Sequence, residues 1–399
     1  LNNNTLDPTM MREKLLLDFM NKKGLPAPRC TYAKVSYNGQ YVGLYKMIEQ
    51  IDKEFISTHF NDWGGNLFKG DPDGTLGWMG NIPANYYPYY ELHSNTSVND
   101  WSDLVNLIDN INNTPASDFF DTLETNLNTF PCIGQWAARN LFVDLDAYFH
   151  APHNYYLYHN TVTNKFEWCT WDVSVAFGFY PFETEDSTEH VSLMLANNPL
   201  VIRMLADTNY RTTYLNTICN YLDYFNDSVL SPEIDSLATI IYPAFAAEPD
   251  SNQMFPEQAF YACIDTFKIT TPIGDIPGLK KFITNRRANV LAELDSMGWV
   301  CPVSSVSNPV YNYDFSVYPN PAGNTLTVNY EIPKDGQVSL IMYNSIGQRV
   351  MVLLSDDNFQ TTGNHTLTLN LDQLSSGLYI FQFVSGDFSR IFKIIKTKE

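Results

Sequence analysis

The sequence lacks several features that would place it in a common class of protein. No apolar run approaches the ~20 residues that a membrane-spanning helix needs, and no signal peptide is visible at the N-terminus. It contains neither a Gly-x-Ser-x-Gly elbow nor a Gly-rich phosphate loop. The chain begins without Met, so we expect it to be a fragment that lacks any leader and the start of its first domain.

Basic residues are scarce. Lys and Arg number 24 against 44 Asp and Glu, which gives a net charge of −20. The excess of acid lies almost entirely before residue 314. A strongly acidic surface repels nucleic acid and anionic membranes, so neither is an expected partner.

Cysteines at close spacing in the sequence are also missing. The six cysteines include no Cys-x-x-Cys pair, so the spacing typical of a zinc site is absent. Disulfides are permitted in an exported protein, and six cysteines allow about fifteen pairings. Disulfides and buried free thiols both stay open at this point.

The residues after 313 show the pattern of a small all-β domain. Apolar and polar residues alternate with the period of two that half-buried strands produce. Turn residues such as Asp335-Gly336 and Ser376-Gly377 separate the runs. About seven strands at this spacing predict a β-sandwich. The alternating apolar positions are Leu326, Val328, Tyr330, Val338, Leu340, Met342, Leu367, Leu369, Leu371, Tyr379, Phe381 and Phe383.

Four motifs in this domain resemble the C-terminal sorting domain of the type IX secretion system. In order, they are YPNP at 318–321, NSIGQRV at 344–350, LSSGLYIFQF at 374–383 and KIIK at 393–396. The resemblance implies a Gram-negative bacterium, passage through the periplasm and the type IX machinery, and release or attachment at the cell surface. A generic carbohydrate-binding or adhesion sandwich is the alternative reading.

The preceding residues predict an α+β domain with a helical C-terminal half. We expect a helix over 8–23, a β-hairpin with Asn38-Gly39 as its turn and another helix over about 133–147. A second hairpin is expected around Thr163-Asn164, and residues 199–298 are mostly helical. The domain boundaries predicted from these patterns are 1–300 for the first domain, 301–313 for a linker and 314–399 for the second domain.

The densest group of chemically capable residues lies between Asn140 and Gly178. Asp144 and Asp146 are predicted at the end of a helix, Asn154 follows in a loop, and a hairpin delivers Asp172 after a strand. Phosphoryl transfer uses such a set, with one Asp for the acceptor hydroxyl and an Asn and an Asp for Mg²⁺. The spacing alone is also consistent with Asp146 as the cap of a helix or turn and with Asp172 as a surface residue at the end of a strand.

Several segments of the first domain resemble the CotH kinase family of atypical protein kinases. They run in the expected order and are Leu15 to Asp52, GGNLFKGD at 64–71, Asp144 to Asn160, FEWCTWDVSVAFG at 166–178, NPLVIRML at 198–205 and Ile283 to Leu294. The resemblance implies an atypical protein-kinase-like fold for the first domain, followed by an immunoglobulin-like sandwich. It also implies ATP and Mg²⁺ as cofactors.

The resemblance implies a role for five residues. Asp146 matches the catalytic Asp, with Asp144 as a competitor two residues away. Asn154 and Asp172 match metal ligands. Lys69 and Glu49 match a Lys for the ATP phosphates and a Glu to orient it.

Three departures from the family pattern affect these expectations. The family usually has Trp-Asp-x-Asp at the metal site, and Ser174 takes the place of the second Asp. His93 stands where a Lys-like residue is common. The upstream strands that would cover the nucleotide are also expected to be missing from this chain.

The leading functional prediction is a secreted or cell-surface kinase that transfers phosphate from ATP to Ser or Thr of surface or secreted proteins. The first alternative is a catalytically inactive kinase-like fold that acts as an adhesin or scaffold. The second is a structural component of an extracellular matrix or a partner of secreted hydrolases. The protein substrate is not identified by the sequence.

Overall fold

The computed structural model divides the chain into two compact units, Leu1–Pro302 and Val303–Glu399. The structure describes residues 1–179, 190–191, 198–249, 251–253, 255–265, 268–271, 274–301, 315–332, 335–344, 349–355, 358–385 and 388–397. Apart from Cys301, the predicted linker lies outside the described residues. Each unit is considered by itself below.

The first unit mixes helices and short antiparallel strands, as the α+β prediction requires. Its helices are α1 (Arg12–Lys22), α2 (Lys53–Phe60), α3 (Ser102–Asn113), α4 (Phe119–Asn126), α5 (Thr129–Leu141), α6 (Pro199–Ala206), α7 (Thr208–Leu222), α8 (Asp227–Phe245), α9 (Glu257–Asp265) and α10 (Leu279–Ser296). Its strands are β1 (Cys30–Tyr37), β2 (Gln40–Ile48), β3 (Leu67–Gly70), β4 (Tyr90–Leu92), β5 (Tyr155–Asn160), β6 (Lys165–Thr170), β7 (Lys268–Thr271) and β8 (Gly274–Pro277).

Both predicted hairpins of the first unit are present. Strands β1 and β2 pair across a two-residue turn in which Asn38 and Gly39 have φ of 49° and 80°. Positive φ at both positions is what a type I′ turn needs, and Asn-Gly supplies it with little strain. Strands β5 and β6 pair in register from Tyr155 with Thr170 to Asn160 with Lys165.

The sheet that carries the candidate residues has the strand order β4-β3-β5-β6, and every pair is antiparallel. The chain enters β3 through Gly65, where an added Cβ would lie 1.6 Å from the carbonyl oxygen of His159. Only glycine permits this approach of two backbones. It fixes the start of β3 against the end of β5.

Helix α5 lies at the centre of the first unit and packs against α1, α7 and β6. From Cys132 to Leu141 every residue of α5 is buried, including Trp136 and the charged Arg139. A helix that is apolar on nearly all sides is surrounded by its domain. Arg139 therefore projects into the protein interior, where it needs internal partners.

The helix predicted over about 133–147 ends earlier than expected, so two candidate residues lie outside it. The sequence predicted a helix over about 133–147, with Asp144 and Asp146 at its end. The structure ends α5 at Leu141, and Val143 adopts a left-handed conformation with φ of 46°. A left-handed residue stops the α-helical hydrogen-bond ladder. Both aspartates consequently lie in a loop that runs back toward the sheet.

One disulfide is present among the described cysteines. It joins Cys219 in α7 to Cys301, across a sequence separation of 82 residues. Cys30, Cys132, Cys169 and Cys263 are buried free thiols. The structure therefore selects one pairing that the sequence left open.

In the part of the chain that the structure describes, the helices are too short or too polar to traverse a lipid bilayer.

The second unit is all-β. Its described strands are β9 (Phe315–Tyr318), β10 (Thr325–Ile332), β11 (Gly336–Asn344), β12 (Arg349–Leu354), β13 (Phe359–Gln360), β14 (Gly363–Asn370), β15 (Gly377–Ser385) and β16 (Phe388–Lys396). One sheet has the order β14-β10-β9, and the other has the order β12-β11-β15-β16 with β13 also paired to β11.

The alternation read from the sequence correctly identifies the buried face of these strands. Leu326, Val328, Leu340, Phe381 and Phe383 are all fully buried. Side chains from β10 in one sheet and from β11 and β15 in the other belong to one apolar cluster. The two sheets therefore share a core.

Candidate functional site

The structure brings three of the predicted site residues to one end of the β5–β6 hairpin. Asp146 lies in the loop after α5, Asn154 immediately precedes β5, and Asp172 follows β6. Because the two strands are antiparallel, the start of β5 meets the end of β6. The backbone N–H of Trp171 donates to the carbonyl oxygen of Asn154 at 3.1 Å, which closes this end of the hairpin.

The guanidinium group of Arg139 holds the three loops together. One terminal nitrogen donates to the carbonyl oxygens of Asp146 at 2.9 Å and Asp172 at 3.0 Å. The other donates to the carbonyl oxygens of Asn154 at 2.9 Å and Trp171 at 3.2 Å. Arginine suits this position because its five donors project in a fixed, planar arrangement. One buried side chain thus sets the backbone positions of all three candidates.

Asp144 balances the charge of Arg139. Its Oδ2 accepts from Arg139 Nε at 2.7 Å, and both side chains are almost fully buried. Burial raises the pKa of Asp144 to about 6, although the charge and hydrogen bond of Arg139 oppose this shift. Asp144 is inaccessible to a substrate, so of the two competing aspartates only Asp146 is exposed enough to meet one.

The backbone is strained at both predicted metal ligands. Asn154 has φ of 59° and Asp172 has φ of 40°, and neither is glycine. Asn and Asp adopt this region more readily than other residues, but it still has a conformational cost. Strain of this kind concentrates at functional sites, where surrounding contacts hold it. Here the bonds from Arg139 to the two carbonyl oxygens provide that restraint.

Both carboxylate oxygens of Asp146 are engaged. His153 Nε2 lies 2.5 Å from Oδ1, and Asn154 Nδ2 donates to Oδ2 at 2.7 Å. Burial alone would raise the pKa of Asp146, but the hydrogen bond and charge of His153, with help from Arg139 and Asn154, hold it below its ordinary value. Asp146 is therefore an ionised carboxylate with a defined orientation.

His153 lies in the loop just before Asn154 and makes a specific contact with Asp146. Its hydrogen bond to Asp146 raises the pKa of His153, against the effect of burial, and the charges of Asp146 and Asp71 raise it further. Asp71 forms a short ion pair with Lys69. The two pairs are therefore close enough for the charge of Asp71 to act on His153.

Asp172 is exposed and close to Ser174. The backbone N–H of Ser174 donates to Asp172 Oδ1 at 3.1 Å. The serine therefore lies where the turn after β6 would present a second carboxylate in the Trp-Asp-x-Asp pattern. Its hydroxyl is a weaker, neutral oxygen ligand.

The donor set fits magnesium that is shared with a substrate. Across the described residues, no three His, Cys, Asp or Glu side chains are grouped closely enough to hold a metal ion. Mg²⁺, however, commonly takes one or two carboxylates and completes its octahedron with water and substrate phosphates. The carboxylate of Asp172 and the amide oxygen of Asn154 are appropriate ligands for such a shared ion.

Lys69 and Glu49 do not pair with each other. Lys69 in β3 is bonded to Asp71. Glu49, just after β2, forms a two-pronged pair with Arg29 and also accepts the Arg29 backbone N–H at 3.0 Å. The roles predicted for Lys69 and Glu49 stay predictions, and the structure supplies a different partner for each.

The sequence reasoning missed a buried lysine–glutamate pair. Lys46 Nζ in β2 lies 2.7 Å from Glu13 Oε2 in α1, and both side chains are almost fully buried. Burial raises the pKa of Glu13, Lys46 lowers it, and the charge of Asp172 is close enough to contribute. The two residues are 33 positions apart in the sequence, so no local pattern joins them. The available signal was a lysine in β2 at a position where the alternation of the strand predicts an inward-facing residue.

Comparison with known proteins covers both units. A family model described as CotH kinase protein matches residues 1–290. A second, described as a secretion system C-terminal sorting domain, matches residues 316–397. The chain is also similar to the inner spore coat protein H of Bacillus subtilis (strain 168), with 25% identity over 255 residues that cover 62% of this chain and 69% of that protein.

Proposed function

The chain belongs to the CotH kinase protein family and carries a secretion-system sorting domain, and from this premise we propose that it is an exported phosphotransferase. In this proposal its first unit has an atypical kinase-like fold. It transfers the terminal phosphate of ATP to a Ser or Thr hydroxyl on a surface or secreted protein.

The observation that carries the proposal is the convergence of Asp146, Asn154 and Asp172 around Arg139. Phosphoryl transfer depends on positioning and electrostatic stabilisation more than on covalent chemistry by the protein. A buried guanidinium that fixes three loops provides such positioning. The lowered pKa of Asp146 keeps its carboxylate ionised and able to accept the proton of an acceptor hydroxyl.

Asn154 and Asp172 would hold Mg²⁺ through their side-chain oxygens. When bound, the ion neutralises charge on the phosphates of ATP. Asp146 would orient the acceptor hydroxyl. Lys69, in β3 of the same sheet, would contact a phosphate, and the charge of its partner Asp71 acts on His153.

The sorting domain gives the destination of the protein. It implies handling by the type IX secretion machinery and a final position in the medium or at the outer-membrane surface. We propose that the chain passes through the periplasm of a Gram-negative bacterium. Its acceptor proteins would then be encountered in the periplasm or on the cell surface.

A second candidate function is a catalytically inactive adhesin or scaffold. The observation that favours it is that His153 and Asn154 occupy both oxygens of Asp146. These contacts stabilise the ionised carboxylate, lower its pKa and so make it a weaker proton acceptor. Ser174 in place of an acid also removes one negative ligand.

Calorimetry on the full chain separates the two candidates. ATP is titrated with and without Mg²⁺ into the wild type, Asp172→Asn and Asp146→Asn. Asp121→Asn, which changes an exposed carboxylate in the first turn of α4, is the matched control.

The phosphotransferase predicts Mg²⁺-dependent ATP binding that Asp172→Asn weakens at least tenfold, and the control should match the wild type. Asp146→Asn should retain binding and lose phosphate transfer to any acceptor that the wild type modifies. A folded wild-type protein that does not bind ATP with Mg²⁺ would exclude the enzyme and leave the scaffold.

A further inference from the structure

Arg12, in the first turn of α1, holds the turn that follows β6. This turn spans residues 172–178 and begins with Asp172. One terminal nitrogen of Arg12 donates to the carbonyl oxygens of Ala176 and Phe177, each at 3.1 Å. Arg12 therefore fixes the far end of the turn whose first residue is a predicted metal ligand.

The side chain of Arg12 is fully buried. Its second terminal nitrogen donates to the carbonyl oxygen of Pro277, at the end of β8. Its Nε lies 3.5 Å from Oδ1 of Asp7, which is also buried and supplies the opposite charge. A buried cation has a large desolvation cost unless it is paired and hydrogen-bonded. The position needs an arginine, because the single nitrogen of a lysine cannot reproduce this planar fork of donors.

Hydrogen bonds inside the 172–178 turn connect its two ends. The N–H of Ala176 donates to the carbonyl oxygen of Val173 at 3.2 Å. The N–H of the next residue, Ser174, donates to Oδ1 of Asp172 at 3.1 Å. The position of Ala176, which Arg12 binds, is therefore linked to the orientation of the Asp172 carboxylate.

The far end of the turn is strained. Phe177 has φ of 67°, a left-handed conformation that is rare for a bulky side chain. The N–H of Phe177 donates to the carbonyl oxygen of Phe142 at 2.6 Å, and its own carbonyl oxygen accepts from Arg12. Such a conformation persists only where surrounding contacts hold it, and it is concentrated at functional sites. Here the strain lies in the same turn as Asp172.

We propose that Arg12 is a positioning residue for the metal site. By holding the 172–178 turn, it sets the orientation of the Asp172 carboxylate, which would ligate Mg²⁺ in the proposed function. The inference rests on that function. It gives a role to a buried side chain that acts through the turn and does not touch the ion. With Arg139 on the carbonyl oxygen of Asp172, the turn is held at both ends.

The choice of metal ion shows whether the turn has become looser. Mg²⁺ demands near-ideal octahedral geometry, whereas Ca²⁺ accepts about six to eight oxygen ligands in flexible arrangements. A carboxylate that is free to reorient should therefore weaken binding with Mg²⁺ more than binding with Ca²⁺. A simple loss of stability would lower the folded fraction and affect binding with both ions equally.

The test compares Arg12→Lys with the wild type in the full chain. Calorimetry measures binding of the β,γ-imido analogue of ATP with Mg²⁺ or with Ca²⁺, at a temperature at which thermal denaturation shows the protein to be folded. Arg12→Lys keeps a positive charge near Asp7 and loses the fork that binds the turn. Binding with Mg²⁺ should weaken about tenfold, because small misplacements of binding groups have large effects. Binding with Ca²⁺ should weaken less than about threefold.

Arg203→Lys is the matched control. Arg203 in α6 also donates to two carbonyl oxygens, those of Ile111 and Thr114 at the end of α3. These residues lie outside the three loops of the candidate site. The substitution should lower the melting temperature and leave binding with either ion unchanged. If the wild type binds the analogue only with Mg²⁺, the loss in Arg12→Lys is compared with this control alone.

A second variant acts on the turn itself and leaves Arg12 in place. Gly178, the last residue of the turn, has φ of 69°, and its N–H donates to the carbonyl oxygen of Val143 at 3.0 Å. Alanine is strained in this conformation, so Gly178→Ala should loosen the same end of the turn. It should also weaken binding with Mg²⁺ more than binding with Ca²⁺, and it provides the test if Arg12→Lys does not fold.

The outcomes separate this inference from the proposed function. Unchanged binding with Mg²⁺ in Arg12→Lys, or equal losses with the two ions, would overturn the inference, as would unchanged binding in Gly178→Ala if Arg12→Lys is unfolded. If Asp172→Asn weakens binding and Arg12→Lys does not, the proposed function stands and the role of Arg12 is rejected. If the folded wild type does not bind the analogue with Mg²⁺, both are rejected.

Discussion

Arg139 Nε donates to Asp144 Oδ2 across 2.7 Å in the interior of the first unit, where the two side chains are 3% and 0% exposed. The same guanidinium reaches the loops of Asp146, Asn154 and Asp172. The stability of the unit and the geometry of the candidate site therefore depend on one ion pair. Charged side chains so fully buried are retained only when they are paired and hydrogen-bonded.

The first prediction concerns the loss of this pair. Arg139→Leu leaves Asp144 buried without a counter-charge, which should lower the free energy of unfolding by about 3–5 kcal/mol. The double variant Arg139→Leu/Asp144→Leu should recover only part of this loss, because the loop carbonyl oxygens still lack their donor. Urea denaturation followed by tryptophan fluorescence measures both.

The control for this prediction is Arg29→Leu, which breaks the exposed pair with Glu49. Exposed ion pairs contribute about 0–1 kcal/mol, so this change should be small. Equal losses for Arg29→Leu and Arg139→Leu would contradict the structural role of the buried pair.

The second prediction uses the raised pKa of Asp144. Its folded pKa of about 6 lies above the ordinary value of 3.8. The contribution of Asp144 to stability is therefore fully present below pH 3.8 and is lost as the pH rises through about 6. Asp144→Asn does not titrate, so the stability of the wild type relative to this variant should fall between pH 4 and 7. Urea denaturation at intervals across that range measures the difference, and a constant difference would contradict the shift.

The third prediction concerns His153 and Asp146. The folded pKa of His153 is raised above 6.5, so its stabilising contribution is present below pH 6.5 and is lost as the pH rises through the folded pKa. The pKa of Asp146 is lowered, so its contribution is present above pH 3.8 and is lost as the pH falls. The pair should stabilise most between about pH 4 and 6.5.

His153→Gln tests this window. The stability difference between the wild type and the variant should shrink from pH 6.5 to 8, as measured by urea denaturation. His59→Gln is the control, because burial lowers the pKa of His59 and the contribution of that residue should change with the opposite sign. The same sign for both variants would argue against the contact with Asp146.

Much of the local structure was predictable from the sequence because short-range rules decide it. The Asn38-Gly39 turn is fixed by its need for positive φ. The buried positions of β10, β11 and β15 follow from the period of two. Asp146, Asn154 and Asp172 were selected through a family pattern, and the structure places them at one end of a hairpin.

The remaining features depend on contacts between distant residues. The sequence analysis did not select Arg139, because its partners come from three separate loops. Lys46 in β2 pairs with Glu13 in α1, and strand β1 lies between these two elements in the sequence. The end of α5 was placed too late because Val143 has no sequence feature that marks a left-handed residue.

The fourth prediction concerns the disulfide between Cys219 and Cys301. It closes a loop across a sequence separation of 82 residues, for which the chain-entropy relation gives a stabilisation of about 4.5 kcal/mol. Cys219→Ser/Cys301→Ser should lose about this amount in urea denaturation. The wild type in reducing agent should behave like the double variant, whereas the variant itself should not respond to reducing agent, since the other four cysteines are free thiols. A response of the double variant would indicate a second bridge.

The fifth prediction separates the two units. Phe381 in β15 is fully buried in the core of the second unit, which is a different cluster from the core of the first. Phe381→Ala should destabilise the second unit by about 3–5 kcal/mol. All 7 tryptophans precede residue 300, so tryptophan fluorescence reports only the first unit, while circular dichroism reports both.

Phe381→Ala should therefore shift part of the circular dichroism transition and leave the fluorescence transition unchanged. Leu378→Ala in the same strand is the control, since Leu378 is 41% exposed and its loss should cost less than about 1 kcal/mol. If Phe381→Ala moved the fluorescence transition as far as the circular dichroism transition, the two units would unfold as one. Separate cores would then be a poor guide to cooperativity in this chain. An unchanged fluorescence transition would mean that the first unit does not depend on the stability of its sorting domain.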